Sequence, residues 1–224
     1  MSAMAYCYEY PHPALTTDIV VFQIEDRMLK VLLIKRGQDP HKGKWALPGG
    51  FVDIDEDLDA CAKRELEEET GISGLYLEQL YTFGAPQRDP RERIVSVAYF
   101  AVLRGTANAR AASDAAQAKW FDLSRLPRLA FDHRTIVNMA HERLVAKLQY
   151  STIALQFLAP KFSLGEIQIV YETILNDNLD KRNFRKGWLS KDCLEETAEV
   201  RKEGNHRPAK LYRAKQPAKV LFLK

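Results

Sequence analysis

Residues 50–72 read GFVDIDEDLDACAKRELEEETGI, and the fold turns on how the glutamates near its end are arranged. Glu65, Glu67, Glu68 and Glu69 fill four of five consecutive positions just ahead of Gly71. Like charges one turn apart repel, and the last turn of a helix already carries the negative end of its dipole. Residues 56–70 nevertheless have helical character, and Gly71 stands where a left-handed glycine ends a helix. With about 100° per residue and Leu58 at zero, Glu65 and Glu69 fall within about 20° of it. They share the apolar arc of Cys61, Ala62 and Leu66, while Lys63 and Glu67 lie opposite and Glu68 sits at the edge. A helix whose acids only kept it soluble would carry them opposite its apolar stripe. Burying unpaired carboxylates costs several kcal/mol each. Two partners would relieve them: Lys and Arg from elsewhere in the chain, or a hard divalent cation such as Mg²⁺ or Mn²⁺.

Around this stretch the apolar runs are short. Residues 17–24 (TDIVVFQI) and 29–35 (LKVLLIK) are β-branched strands about an EDR turn, followed by the loop GQDPHKGKWALPGG. Further strands are expected near 75–83, 93–103 and 119–121, with a short helical turn in DLSRLPRL. The order predicts an α/β sandwich over residues 1–130 and a connecting amphipathic helix within 131–150. No apolar run reaches the roughly 18–20 residues that span a bilayer, so no membrane partner is expected. The first residues lack the basic and apolar blocks of a secretory signal, and the three cysteines show neither zinc nor disulfide spacing. A cytoplasmic home is expected.

Charge divides the chain. Residues 151–224 carry 14 Lys and Arg against 9 Asp and Glu, whereas residues 1–150 carry 19 against 21. Such asymmetry suggests two modules with different partners, or only scattered surface charge. In the basic module, Ser163 and Glu166 form a capping-box spacing at the start of a helix burying Ile167, Val170, Tyr171 and Ile174. A second helix follows over 181–189, then two short strands around KEGNHR. Helix, turn, helix and hairpin make a winged helix-turn-helix order, so 151–224 is expected to be a DNA-binding domain. Phe184 and Trp188 share one face of the second helix, which leaves Lys181, Arg182, Asn183, Arg185 and Lys186 for nucleic acid. Arg201, Lys202 and Arg207 mark the wing. Solvated basic faces and dimerisation modules share this pattern.

The opening stretch resembles the Nudix box, G-x5-E-x7-R-E-U-x-E-E-x-G-U with U aliphatic. Gly50, Glu56, Arg64, Glu65, Leu66, Glu68, Glu69, Gly71 and Ile72 match every specified position. The resemblance implies a Nudix α/β/α sandwich and hydrolysis of nucleoside diphosphates linked to another group. It implies that Glu65, Glu68 and Glu69, with the Gly49 carbonyl, hold Mg²⁺ or Mn²⁺. Arg64 and Glu56 would brace the loop against the helix. The segment 81–103 (YTFGAPQRDPRERIVSVAYFAVL) resembles the substrate loop and strand of ADP-ribose-type Nudix proteins, which places Arg88, Asp89 and Arg91 at the ligand. Arg36, Gly50 and Trp45 are further ligand candidates. One departure bears on turnover: Gln117 stands before Trp120 and Phe121 where this subgroup commonly carries an acid.

LPRLAFDHRTI (126–136), APKFSLGEIQIVYETIL (159–175) and LDKRNFRK (179–186) resemble the C-terminal half of NrtR-type proteins, Nudix-related bacterial repressors of NAD biosynthesis genes. That resemblance implies a homodimer on a double-stranded operator, with ADP-ribose or a related nucleotide as effector. The competing expectation is a Mg²⁺-dependent ADP-ribose pyrophosphatase whose winged domain serves only dimerisation.

Overall fold

The computed structural model describes residues 9–107, 115–202, 208–217 and 219–223. The first half is built on a sheet of Ala14–Glu25 (β1), Met28–Arg36 (β2), Trp45–Ala46 (β3), Tyr76–Phe83 (β4), Ile94–Val102 (β5) and Ala115–Asp122 (β6). Its spatial order is β3-β2-β1-β5-β4, with β6 also paired to β2. β1 and β5 run parallel and the other named pairs antiparallel. The run Ile19–Phe22 reads as unbroken apolar sequence because both faces of β1 are covered. Ile19 and Val21 meet Ala62 and Leu66 of the helix Leu58–Thr70 (α1) on one face. Val20 and Phe22 look the other way, into a cluster with Ile136, Val137, Ala140 and Leu144 of the helix His133–Tyr150 (α2). Helix, sheet and helix thus make the expected α/β/α sandwich.

The hairpin of β1 and β2 stays paired only from Phe22–Glu25 and Met28–Val31. Beyond that the strands part, and the chain between Leu47 and Val52 fills the opening. Ile19 N donates to Pro48 O (2.8 Å), Thr17 N to Gly50 O (2.9 Å) and Val52 N to Leu15 O (3.0 Å). The glycine loop is therefore laid along β1 almost as a further strand.

The second half holds helices Leu164–Leu175 (α3) and Lys181–Leu189 (α4), then the hairpin Leu194–Arg201 (β7) and Ala209–Ala214 (β8). Ser163 Oγ accepts from Glu166 N and Glu166 Oε2 accepts from Ser163 N, which completes the capping box. Asp180 caps α4 by accepting from Asn183 N (2.8 Å). Phe162 exchanges both backbone hydrogen bonds with Tyr212, which adds a third short strand to the wing. Tyr171, Phe184 and the buried Trp188 pack ring to ring, with centroids 5.1–6.4 Å apart.

One apolar cluster runs from the sheet through α2 into the winged helix, taking in Phe22, Ile136, Leu148, Ile167, Trp188 and Tyr212. Tyr171 Oη donates to Leu148 O (2.8 Å) at the same junction. The C-terminal segment closes over it: Leu221 and Thr152 exchange hydrogen bonds, and the Phe222 ring stacks on Tyr150. Ile136 and Ile167 are both 0% exposed, one in each half of that cluster. Truncating either to alanine costs about 2–5 kcal/mol. Because the core is shared, each change is expected to lower a single unfolding transition by roughly 5–15 °C. Calorimetry of both variants checks this; two resolved transitions, each shifted by only one variant, would contradict a common core.

Candidate ligand site and nucleic-acid face

The loop laid along β1 brings its glycines against the end of α1. At Gly49 a Cβ would stand 2.0 Å from Thr17 O, and at Gly50 2.4 Å from the Glu65 carboxylate. At Gly49 the obstacle is backbone and the φ is one that favours glycine, whereas at Gly50 a side chain would have to displace the Glu65 carboxylate. With the loop held so close, Gly49 N donates to Glu69 Oε2 (2.8 Å). Arg64 then ties loop to helix as a fan. Its Nε and Nη2 donate to the two oxygens of Glu56 (both 2.8 Å), and Nη2 also reaches Phe51 O (3.2 Å). Its Nη1 donates to Glu65 Oε1 (2.7 Å) and Glu68 Oε2 (3.2 Å). Held by that fork, Glu56 drops to a pKa of about 2.

The inward acids behave as the helical wheel anticipates. Burial pushes Glu69 up to about 8, against the Gly49 hydrogen bond and with help from Glu65 and Asp18. Burial raises Glu65 too, and Arg64 only partly offsets it. Glu68 is about half exposed. These are hard oxygen donors in charge excess, which in type and charge fit a divalent cation. Among the described residues, however, no three acid, cysteine or histidine side chains gather around one point a metal ion could take. The Arg64 guanidinium, bonded to both Glu65 and Glu68, is the cation in this arrangement.

Beyond the acids opens a cavity of about 550 Å³, lined by Asp18, Arg36, Gly50, Arg88, Asp89, Arg91 and Phe131 among others. The expected ligand residues are therefore brought to one place, but they differ in engagement. Arg88 is buried between Asp132 (2.8 Å) and Asp18 (3.2 Å), a brace from the loop to β1 and to the start of α2. Arg91 is forked onto Asp89, whose side chain is itself buried. Arg36 lies over the Phe131 ring, 4.9 Å from its centroid. Trp45 packs edge-to-face on Phe121, away from this list of lining residues. Gln117 pairs with Lys35 in the sheet and its side chain is exposed.

Asp18, Phe51, Phe131 and His133 line the cavity although nothing local in the sequence marks them. His133 Nδ1 accepts from Leu47 N (2.8 Å), which fixes the proton on Nε2 facing Asp18 Oδ1 (3.4 Å). Burial lowers its pKa, so the ring is a neutral link between the glycine loop and α2.

On the winged half, Lys181, Arg182, Asn183, Arg185 and Lys186 are all exposed on α4. None of the four cations has an ion pair among the described residues. The hairpin is different. Arg201 is held by Glu166 Oε1 (2.9 Å) and Lys161 O (3.2 Å), and Lys210, Arg213 and Lys215 pair with Glu196, Glu195 and Asp192. Lys202 is exposed, and Arg207 lies outside the described residues.

The raised Glu69 pKa makes a signed prediction. An acid that holds its proton more tightly in the fold stabilises it fully below the ordinary value near 4.5, and that contribution is lost as pH rises through about 8. In EDTA, wild-type Tm should therefore fall relative to a Glu69→Gln variant between pH 5 and pH 8, leaving the variant about 3–6 °C more stable at the upper end. Parallel melting curves against pH would refute a buried, strained carboxylate.

Residues 12–140 match the NUDIX domain family and residues 154–214 the NrtR DNA-binding winged helix domain. The chain is 40% identical to the ADPR responsive transcriptional repressor NtrR of Acinetobacter baylyi, over 92% of this chain and 83% of that protein. The crystal structure of Shewanella oneidensis NrtR complexed with a 27mer DNA superposes with a TM-score of 0.78 at 37% identity, covering 91% of this chain and 95% of that one. The NUDIX domain of the Shewanella protein complexed with ADP ribose matches with a TM-score of 0.56 at 38% identity, over 60% of this chain and 90% of that one. A sandwich carrying the complete acid helix, a winged helix whose basic face is unpaired among the described residues, and a likeness that runs through both together place this chain in the NrtR family of Nudix-related regulators.

Proposed function

We propose that this chain is an ADP-ribose-responsive repressor, regulating genes of NAD metabolism. The observation that carries the reading is the contrast in charge pairing within the winged domain. The wing balances most of its own cations with acids of β7, while α4 presents four cations that no carboxylate among the described residues holds. Phosphate oxygens supply the missing anions, and Arg182, Asn183 and Arg185 have the donor geometry for base edges. Two copies are needed to read two half-sites, so the working form is a homodimer in the cytoplasm. Among the described residues no helix is long and apolar enough to cross a membrane. ADP-ribose enters the cavity above the acid helix, and binding there changes operator affinity because the two states hold the nucleotide unequally.

Nudix hydrolases as a class use divalent metal ions. In this chain Glu65, Glu68, Glu69 and the Gly49 carbonyl would hold Mg²⁺ or Mn²⁺, which supplies neutralisation of a diphosphate. Glu56 and Arg64 position the loop that carries the carbonyl. Arg88 and Asp132 hold the ligand loop against α2. A second reading, ADP-ribose pyrophosphatase, is favoured by the complete set of box acids and weakened by Gln117, whose side chain cannot act as a base.

Two outcomes test the regulator. Arg182→Ala should weaken binding to DNA from upstream of the gene by about ten- to a hundredfold, and Lys186→Ala should reduce the salt dependence by about one unit of slope. Arg201→Ala, which loosens a wing brace, should do less than Arg182→Ala at equal stability. Gel-shift titrations over a salt series decide, and unchanged affinity in the α4 variants would overturn the assignment. For the metal, Mg²⁺ or Mn²⁺ should raise the Tm of wild type but not of Glu69→Gln. Fast ADP-ribose hydrolysis by a protein that shifts no upstream DNA would establish the pyrophosphatase in place of the regulator.

A further inference from the structure

Four arginines face or border the cavity, and three are already neutralised. Arg64 serves Glu56, Glu65 and Glu68, Arg88 serves Asp18 and Asp132, and Arg91 serves Asp89. Arg36 has no ion pair among the described residues. Its Nε donates to Pro40 O (2.7 Å), which orients the head and leaves both terminal nitrogens without a hydrogen-bond partner there. Burial and the like charge of Arg91 lower its pKa, while Asp89, Glu69 and Asp18 act on it only through space. A half-buried, unpaired guanidinium is costly unless something anionic completes it.

The surroundings fix this group in place. Arg36 ends β2 at a register shift, and its backbone is pinned by Lys44 O (2.9 Å) and Gly43 N (2.8 Å). Its Cζ lies 4.9 Å from the centroid of Phe131, and Arg91 approaches the same ring at 5.9 Å. Phe131 has φ 48°, a left-handed backbone uncommon for a bulky side chain, which turns its ring into the cavity wall just ahead of α2. Ala130 N, bonded to Trp45 O (2.8 Å), holds that turn in position. The ring supports the guanidinium by a cation–π contact, which limits the entropic cost of a later bond.

We infer that Arg36, seated over the Phe131 ring, is the anion anchor of the cavity and receives the diphosphate of the ligand through its two terminal nitrogens, which have no hydrogen-bond partner among the described residues. Arg88 and Arg91 are then positioning residues that shape the loop. The assignment rests on the nucleotide-sensing reading above and names the side chain that selects a diphosphate within it.

The test uses the full chain, with ADP-ribose and inorganic pyrophosphate as separate probes. Arg36→Met keeps the aliphatic stem and removes the charge. Calorimetric titration is expected to show affinity for both probes falling about ten- to a hundredfold, with the residual binding less sensitive to salt. Ligand-free Tm should hold or rise, because an uncompensated charge is gone; a structural arginine would lower it. Arg36→Lys should recover part of the affinity, and Phe131→Leu should lose part of it. Wild-type affinity in Arg36→Met, or loss of ligand-free stability without loss of affinity, would overturn the anchor. If wild type ignores ADP-ribose while pyrophosphate binds through Arg36, the sensing reading fails and the anchor stands. If neither anion binds wild type, both fall.

Discussion

The close approach of a glycine loop to the end of an acidic helix governs the sensor half of this protein. Backbone at Thr17 leaves no room for a Cβ at Gly49, whereas at Gly50 a Cβ would meet only the Glu65 carboxylate and push it aside. A loop with glycine at position 49 can lie along β1, and from there Gly49 N reaches Glu69. The same approach lets Glu56, beyond the loop, meet Arg64 from within the helix. A side chain at Gly49 would lift the loop from β1, and one at Gly50 would displace the Glu65 carboxylate from the cavity wall. The sheet, built from runs buried on both faces, supplies the rigid edge against which this happens.

A second principle, the local accounting of charge, separates scaffold from working surface. In the Nudix half, the buried Arg88 is matched to Asp18 and Asp132, acids far away in sequence. In the winged half, the hairpin closes its ion pairs internally, and Glu166 both completes the α3 cap and holds Arg201. Paired cations build shape, whereas unpaired ones are available to an incoming anion. Among the described residues, Arg36 in the cavity and the four cations on the outward face of α4 are without an ion pair where an anionic ligand would meet them.

Much of this was legible in the sequence because it is local. Helix period alone puts Glu65 and Glu69 on the inward arc and Glu67 outside, and the S-x-x-E spacing announces the start of α3. The aromatic pair Phe184 and Trp188, four residues apart, fixes which side of α4 is left for the cations. What escaped is non-local. Arg88 meets Asp132 across 44 residues and Asp18 across 70, and His133 meets Leu47 across 86. No spacing rule connects such pairs, so Arg88 reads in sequence as a ligand residue and in the structure carries two internal acids. Phe131 gives no warning either, since its exposure to the cavity depends on a left-handed turn that its residue type disfavours. The role of α2 was half visible: its apolar period is plain, but that one stripe serves both the sheet and α3 depends on how the chain folds back.

The fan of Arg64 over Glu56, Glu65 and Glu68 gives the acid helix a resident counter-ion. On the metal reading proposed above, arrival of an ion at Glu65 and Glu68 would therefore be an exchange rather than an addition, in which a guanidinium arm would have to turn out. A monovalent ion brings no more charge than the arm it replaces and forfeits directed hydrogen bonds. A divalent ion would bring one unit more, and Glu69, whose charge is disfavoured by burial, would gain from that surplus. On that reading, ion selectivity at this loop would be decided first by what must be displaced, before any preference of coordination number or radius.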